Sequence, residues 1–299
     1  MITAKGLTKR FDTVTAVNAI DLSIAEGEVF GLVGTNGAGK STFLRMLAGI
    51  YKADEGTLTV DGEPVFENAQ IKRKLFLIPD EPFAFLNATP DDMIRYYKAF
   101  YPKFDEERLK EILSDFGLDS KRRIKTFSKG MKKQFFLLAG LCSGAKYLLM
   151  DETFDGLDPV MRQAAKSLIA KQMLDGGCTP VIASHNLREL EDICDHVGLL
   201  HKGGILLSED LYKLRAGLHR VQCILKDGMG VSDLRDLNIV QMETRGRIIL
   251  LTVRGEEETI RRQMENYEPV FYEMLPLSLE EIFISETEVA GYDIKSLIF

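Results

Sequence analysis

The stretch Gly34-Thr35-Asn36-Gly37-Ala38-Gly39-Lys40-Ser41-Thr42 constrains this chain more than any other. It reads G-x-x-x-x-G-K-[ST], the P-loop pattern. Ahead of it, Glu28-Val29-Phe30-Gly31-Leu32-Val33 is short, apolar and strand-prone. Behind it, Phe43-Leu44-Arg45-Met46-Leu47-Ala48-Gly49 carries apolar residues at helical spacing and stops at a glycine. Strand, glycine-rich loop and helix in that order make a cradle for an anion. Glycines let the backbone approach closely and take positive φ. Successive N–H groups then point inward, and the helix dipole favours negative charge. In this pattern Lys40 reaches phosphate oxygens and the Ser41 hydroxyl can ligate Mg²⁺. A glycine-rich turn before an ordinary helix is the bland alternative, and the flanking pattern argues against it.

The rest of the chain alternates strands with helices. Residues 2 to 24 read as antiparallel β structure, with Ile20-Asp21-Leu22-Ser23-Ile24 alternating cleanly. Phe11 lies between polar turn-like groups; it reads as a core residue or as an aromatic platform for a base, burial being the commoner fate. Gly56 to Val60 is a strand closed by an Asp61-Gly62 turn. Leu75-Phe76-Leu77-Ile78-Pro79 is another strand, followed by Asp80. Thr89-Pro90 opens a helical stretch that runs through Met93 to Phe100 and Glu106 to Phe116, with Gly117 as its stop. Ser128 is placed to cap a helix running to Cys142. Tyr147 to Met150 is a buried strand ending in Asp151-Glu152. Val160 to Leu174 is a helix, and Thr179 to Ser184 a strand ending at His185. This alternation predicts an α/β fold with a mostly parallel sheet, whose ligands bind at carboxyl strand ends. Gly34, Asp80, Asp151, Glu152 and His185 all fall just past strand ends, so one site can collect them. From about Val221 the pattern changes to strands and two helices with no catalytic constellation, a small α+β appendage joined through Leu211 to His219.

Composition narrows the partners. The formal net charge is −7, against the basic excess usual in nucleic-acid binders. Cys142, Cys178, Cys194 and Cys223 show no C-x-x-C spacing, so they read as buried thiols of a reducing compartment rather than a zinc site. No apolar run approaches the roughly 20 residues that cross a bilayer. No signal peptide opens the sequence. A cytosolic protein is expected, with any membrane spanned by another subunit.

Leu148-Leu149-Met150-Asp151 is an apolar strand ending in a carboxylate, the Walker B arrangement, whose aspartate would hold Mg²⁺. Glu152 beside it is placed to act as a general base. With these residues in place the chain resembles the ATP-binding subunit of ABC transporters, in motif order, over residues 1 to about 217. Phe11 falls where that family stacks an aromatic on adenine. Phe127-Ser128-Lys129-Gly130-Met131 falls where its signature lies, Asp158 in its D-loop and His185 at its switch histidine. Lys129 and Met131 depart from the usual L-S-G-G-Q, and Asp80 stands in place of the usual Q-loop glutamine.

The resemblance implies a P-loop NTPase cassette over 1–217. It would combine an antiparallel β subdomain, a RecA-like parallel core and a helical insertion at about 88–143, with 218–299 as an accessory domain. It implies an ATPase whose cofactors are ATP and Mg²⁺. ATP would be held by Phe11, Gly34, Thr35, Asn36, Gly37, Ala38, Gly39, Lys40, Ser41 and Thr42, and by Ser128 and Gly130 of a twin subunit. Lys40, Glu152 and His185 would serve catalysis, and Ser41 and Asp151 the metal; Asp80, in the glutamine's place, would sense the metal through water or merely start the turn into Glu81-Pro82. Two such subunits, identical or different, would close head to tail and drive an integral-membrane permease docked on the helical insertion. That places the chain on the cytoplasmic face of the cell membrane, with no nucleic acid bound. The F-S-K-G-M signature and the closing Pro276 to Phe283 resemble bacterial exporters of the drug and antibiotic-resistance type. A soluble ABC ATPase acting on ribosomes or DNA is the alternative; the single P-loop, the lack of sustained heptads and the acidic balance weigh against it.

Overall fold

The most apolar short runs become the central strands. Phe30–Val33, Tyr147–Asp151 and Thr179–Ser184 are buried along their whole length, as strands covered on both faces must be. They belong to a six-stranded sheet in the order 204–210, 196–201, 30–33, 179–184, 147–151, 75–78. Phe30–Val33 pairs in parallel with both 179–184 and 196–201, and Tyr147–Asp151 in parallel with 179–184 and 75–78. The computed structural model describes residues 1–289 and divides into two units, Met1–Ser208 and a second starting at Glu209. The sequence reading puts that division at 217/218. It falls earlier because residues 211–217 form a helix, capped by Asp210 accepting from the Lys213 N–H, that packs on the strand after it.

In the first unit a second, antiparallel sheet has the order 14–24, 2–11, 55–60, 63–64. Ile2 and Ala4 on one strand, and Ile20, Leu22 and Ile24 on its neighbour, are buried at the period of two that a half-buried sheet imposes. They share one core with Phe43, Leu44 and Leu47 of the helix Lys40–Leu47 and with Phe30, Leu32, Leu149 and Val181 of the parallel sheet. The P-loop helix is therefore gripped between two sheets. Between strands 75–78 and 147–151 lie three helices, Pro90–Phe100, Glu106–Asp115 and Lys129–Leu141. Thr89 opens the first with a capping box to Asp92 and Pro90 in the first turn. Phe135, Leu138 and Leu141 bury the last.

The second unit is a four-stranded antiparallel sheet ordered 238–245, 248–254, 218–224, 271–275. Ile260 and Met264 of helix Glu257–Asn266 pack on Val221, Cys223, Leu251 and Val253. The strand Phe271–Leu275 is absent from the sequence reading, and residues 290–299 of the expected appendage lie outside the described residues. Cys142, Cys194 and Cys223 are buried and Cys178 half-buried, all as free thiols. No helix among the described residues is long and apolar enough to cross a membrane.

One polar cluster ties the two sheets of the first unit together. The Asp61-Gly62 turn has both residues at positive φ, +53° and +82°, as a type I′ hairpin requires. Asp61 Oδ1 accepts from the Tyr147 hydroxyl at 2.6 Å and from Lys146 at 2.9 Å, and Oδ2 from Lys74 at 2.7 Å. Partial burial pushes this carboxyl up, but the hydrogen bonds from Lys74, Tyr147 and Lys146 outweigh it and hold it well below 3.8. A depressed carboxyl adds stability above its unfolded value and loses it as pH falls. Asp61→Asn is expected to cost about 2 kcal/mol at neutral pH. Urea denaturation of mutant and wild type should show that gap closing as the pH drops below 3.8; a gap independent of pH would contradict the charge-based account.

Candidate functional site

The parallel strands all deliver their carboxyl ends to one edge. Phe30–Val33 runs into Gly34, Leu75–Ile78 into Pro79-Asp80, Tyr147–Asp151 into Glu152 and Thr179–Ser184 into His185. The loop at Gly34 is tight on both sides. A Cβ at Gly34 would lie 2.4 Å from the Leu200 carbonyl oxygen. Gly39 has φ +110°, and a Cβ there would lie 2.2 Å from the Ala16 carbonyl oxygen. Neither position admits a side chain. The Ala38 N–H donates to the Thr35 carbonyl at 3.1 Å, closing the turn and leaving Asn36 and Gly37 exposed at its tip. The Phe43 N–H then donates to Gly39 at 2.9 Å and starts the helix, with Lys40, Ser41 and Thr42 in its first turn.

Lys40 is 5% exposed, and its ammonium group is fully engaged. It donates to the Gly34 carbonyl at 2.6 Å and the Thr35 carbonyl at 3.2 Å, and lies 3.1 Å from Glu152 Oε1. Glu152 Oε2 accepts from the His185 backbone N–H at 3.2 Å and lies 2.8 Å from His185 Nδ1. Ser41 Oγ donates to Asp151 Oδ1 at 3.0 Å. Burial pushes the Asp151 carboxyl up from its ordinary 3.8; the Ser41 hydrogen bond works the other way. Lys40, Glu152 and His185 thus form one hydrogen-bonded cluster, and Ser41 with Asp151 a separate pair beside it.

Glu152 holds a backbone that side-chain-bearing residues rarely adopt, φ +47°. Its N–H donates to the Ala183 carbonyl at 2.9 Å and its own carbonyl accepts from Lys133 Nζ at 2.6 Å. Lys133 is the residue that sequence reasoning missed. It lies in the helix after Ser128, 1% exposed, and its Nζ also donates to Asp80 Oδ1 at 2.7 Å. The sequence reading sends Asp80 toward the metal; the structure gives its Oδ1 a lysine. The sequence reading places Lys132 and Lys133 only in the helix running to Cys142, and no spacing signal marks one of them as buried.

The donor set suits a hard cation held together with phosphate. Ser41 and Asp151 offer a hydroxyl and a carboxylate, both oxygen, and Mg²⁺ is held by few protein oxygens plus phosphates rather than by an all-protein cage. Among the described residues no group of three or more His, Cys, Asp or Glu side chains forms such a cage.

The remaining expected residues lie on other elements. Ser128 caps its own helix, its Oγ accepting from the Met131 N–H at 3.1 Å. Gly130 approaches the 154–158 turn so closely that a Cβ would lie 3.1 Å from the Gly156 carbonyl oxygen. Lys129 pairs with Asp155 of that turn at 3.0 Å. Asp158 caps the helix Pro159–Leu174. Phe11 is no core residue: it is 40% exposed, its ring in a T-shaped contact with Tyr51 at 5.2 Å and Lys9 Nζ 5.3 Å from its centroid.

Residues 17–155 match the family model described as ABC transporter. The chain is 27% identical to the ABC transporter ATP-binding protein YtrB of Bacillus subtilis, over 96% of this chain and 98% of that one. It is 34% identical to the linearmycin resistance ATP-binding protein LnrL of the same species, over 69% of this chain and 68% of that one. A solved ATP-binding subunit of an ABC transporter superposes with a TM-score of 0.67 at 25% identity, covering 72% of this chain and 92% of that one. A glycine cradle with its lysine, a carboxylate pair at the neighbouring strand end and these likenesses agree: the chain belongs to the ABC transporter ATP-binding family and is an ATP-binding ATPase.

Proposed function

We propose that the chain is the motor subunit of an exporter, in which ATP closes two copies, or this chain and a similar one, head to tail, and hydrolysis opens them. The observation that carries the reading is the Lys40–Glu152–His185 assembly beside Ser41–Asp151. The P-loop N–H groups bind the phosphates of ATP, and Lys40 turns to them from the Gly34 and Thr35 carbonyls while it stays beside Glu152. Glu152 orients the attacking water and accepts its proton, while Lys40 and His185 hold the carboxylate in place. His185 offers its second ring nitrogen to the phosphate end of the site. Ser41 and Asp151 would hold Mg²⁺, which would neutralise charge on the phosphates when bound. Phe11, exposed at a strand end, stacks on the adenine. Ser128 and Gly130, at the N-terminus of helix Lys129–Leu141, serve the ATP of the opposite subunit, so each site is completed by closure.

The permease partner is supported by an aromatic surface. Phe83, Phe85, Leu86, Tyr96 and Phe100 are exposed. Their rings run in contact, Phe83 to Phe85 at 5.4 Å, Phe85 to Tyr96 at 4.9 Å and Tyr96 to Phe100 at 4.9 Å. A contiguous apolar patch of this kind fits a partner helix. It follows Asp80 directly in the chain and continues onto the first helix of the insertion. Through that partner the chain sits peripherally on the membrane. The unit beginning at Glu209 has its own core and serves assembly with the twin subunit or the permease.

Two outcomes are expected. Glu152→Gln should lower the ATPase rate by about 10²–10⁴-fold, since an amide accepts no proton, while ATP still binds and the dimer accumulates in size-exclusion chromatography with Mg²⁺ and ATP. Normal turnover by that variant would end the assignment of the base. Phe85→Glu with Leu86→Asp should leave ATP hydrolysis by the free chain unchanged and abolish co-purification with the permease. Unaltered co-purification would show that the partner binds elsewhere.

A further inference from the structure

Lys133 performs a task that nothing in the site's family pattern requires. A lysine buried to 1% exposure in an apolar helix must find partners or give up its charge. Its Nζ has two strong ones on different elements. Asp80 Oδ1 at 2.7 Å lies in the loop after strand Leu75–Ile78, and the Glu152 backbone carbonyl at 2.6 Å lies just past strand Tyr147–Asp151. Asp155 Oδ2 adds longer-range attraction at 3.9 Å, and is itself paired with Lys129 one turn earlier on the same helix.

The carbonyl it grips belongs to the residue with the unusual backbone. Glu152 sits at φ +47°, a conformation that persists only when its surroundings impose it. The Ala183 carbonyl holds the Glu152 N–H from one side, and Lys133 holds its C=O from the other. With both peptide groups tied, the direction of the Cβ is set. The carboxylate then falls 3.1 Å from Lys40 and 2.8 Å from His185 Nδ1.

We infer that Lys133, braced by Asp80, is a positioning residue that holds the Glu152 peptide in its left-handed conformation and so aims the carboxylate. The inference rests on the reading of Glu152 as the base of hydrolysis. Asp80 acts through Lys133 and not as a metal ligand, and its loop leads through Glu81 and Pro82 into the exposed Phe83–Leu86 segment. A shift of that segment reaches Glu152 through a single ammonium group.

The test uses the full chain with Mg²⁺ and ATP, measuring kcat, KM, affinity for a fluorescent ATP analogue and the Mg²⁺ midpoint. Lys133→Met keeps the length and loses the charge. It should lower kcat by about 10²-fold, the cost of a displaced catalytic group, with analogue affinity unchanged. Lys133→Arg, which keeps the donors, should recover part of that loss. Asp80→Ala should lower kcat less, because the Glu152 carbonyl still anchors Lys133, and should leave the Mg²⁺ midpoint where it is. Joined to Lys133→Met it should add nothing, as two members of one network do. Wild-type kcat in Lys133→Met, or a raised Mg²⁺ midpoint in Asp80→Ala, would overturn the inference. If circular dichroism shows Lys133→Met unfolded, Asp80→Ala decides alone: a lowered kcat at an unmoved midpoint supports the brace, and any other result overturns it. Glu152→Gln run in parallel separates the two readings. A silent Glu152→Gln beside a normal Lys133→Met refutes only the positioning role, whereas an active Glu152→Gln refutes the base.

Discussion

Two buried lysines converge on Glu152, one on its carboxylate and one on its backbone carbonyl. Lys40 is 5% exposed and Lys133 1%, and each would be costly to bury alone. Attraction between charges strengthens as water is excluded, so each ammonium group is held firmly once its partners are placed. The partners come from strand ends of a single parallel sheet. The fold therefore solves one electrostatic problem at one edge: the Asp80 and Glu152 carboxylates balance two cations, the Gly34, Thr35 and Glu152 carbonyls accept their remaining hydrogen bonds, and Asp151, pushed up by burial, is left with the Ser41 hydroxyl.

The core makes that edge rigid. Strands 30–33, 147–151 and 179–184 are buried throughout, and the helix Lys40–Leu47 is clamped between two sheets by Phe43, Leu44 and Leu47. Shifting Lys40 would mean moving a helix whose start is blocked at Gly39 by the Ala16 carbonyl and whose preceding loop is blocked at Gly34 by the Leu200 carbonyl. The polar cluster at Asp61 locks the other end of strand Tyr147–Asp151. A strand fixed at both ends delivers Asp151 and Glu152 to the same place each time, which is what positioned catalysis needs.

Most of this edge was legible because its chemistry depends on local order along the chain. The glycine spacing, the apolar strands and the acids that follow them identify Lys40, Ser41, Asp151, Glu152 and His185 without any long-range knowledge. Lys133 was not legible, since a buried lysine and a solvated one look alike between Lys132 and Gln134. The strand Phe271–Leu275 exists because Leu218–Ile224 pairs with it, a contact between distant segments that no short window contains. The helix 211–217 did carry a signal, Asp210 placed as an N-cap, but its run is too short for periodicity to show. Phe11 was ambiguous because its exposure depends on where distant Tyr51 ends up, and the two rings meet in a single T-shaped contact.

The central claim is that the placement of the Glu152 carboxylate, beyond its mere presence, carries hydrolysis. Single-turnover hydrolysis of radiolabelled ATP by Glu152→Asp tests it directly. This variant keeps the charge and withdraws it by one methylene, away from Lys40 and His185. The account predicts ATP affinity equal to wild type and a hydrolysis rate lower by about 10²-fold. A wild-type rate would show that any carboxylate at this position suffices, and would contradict the account.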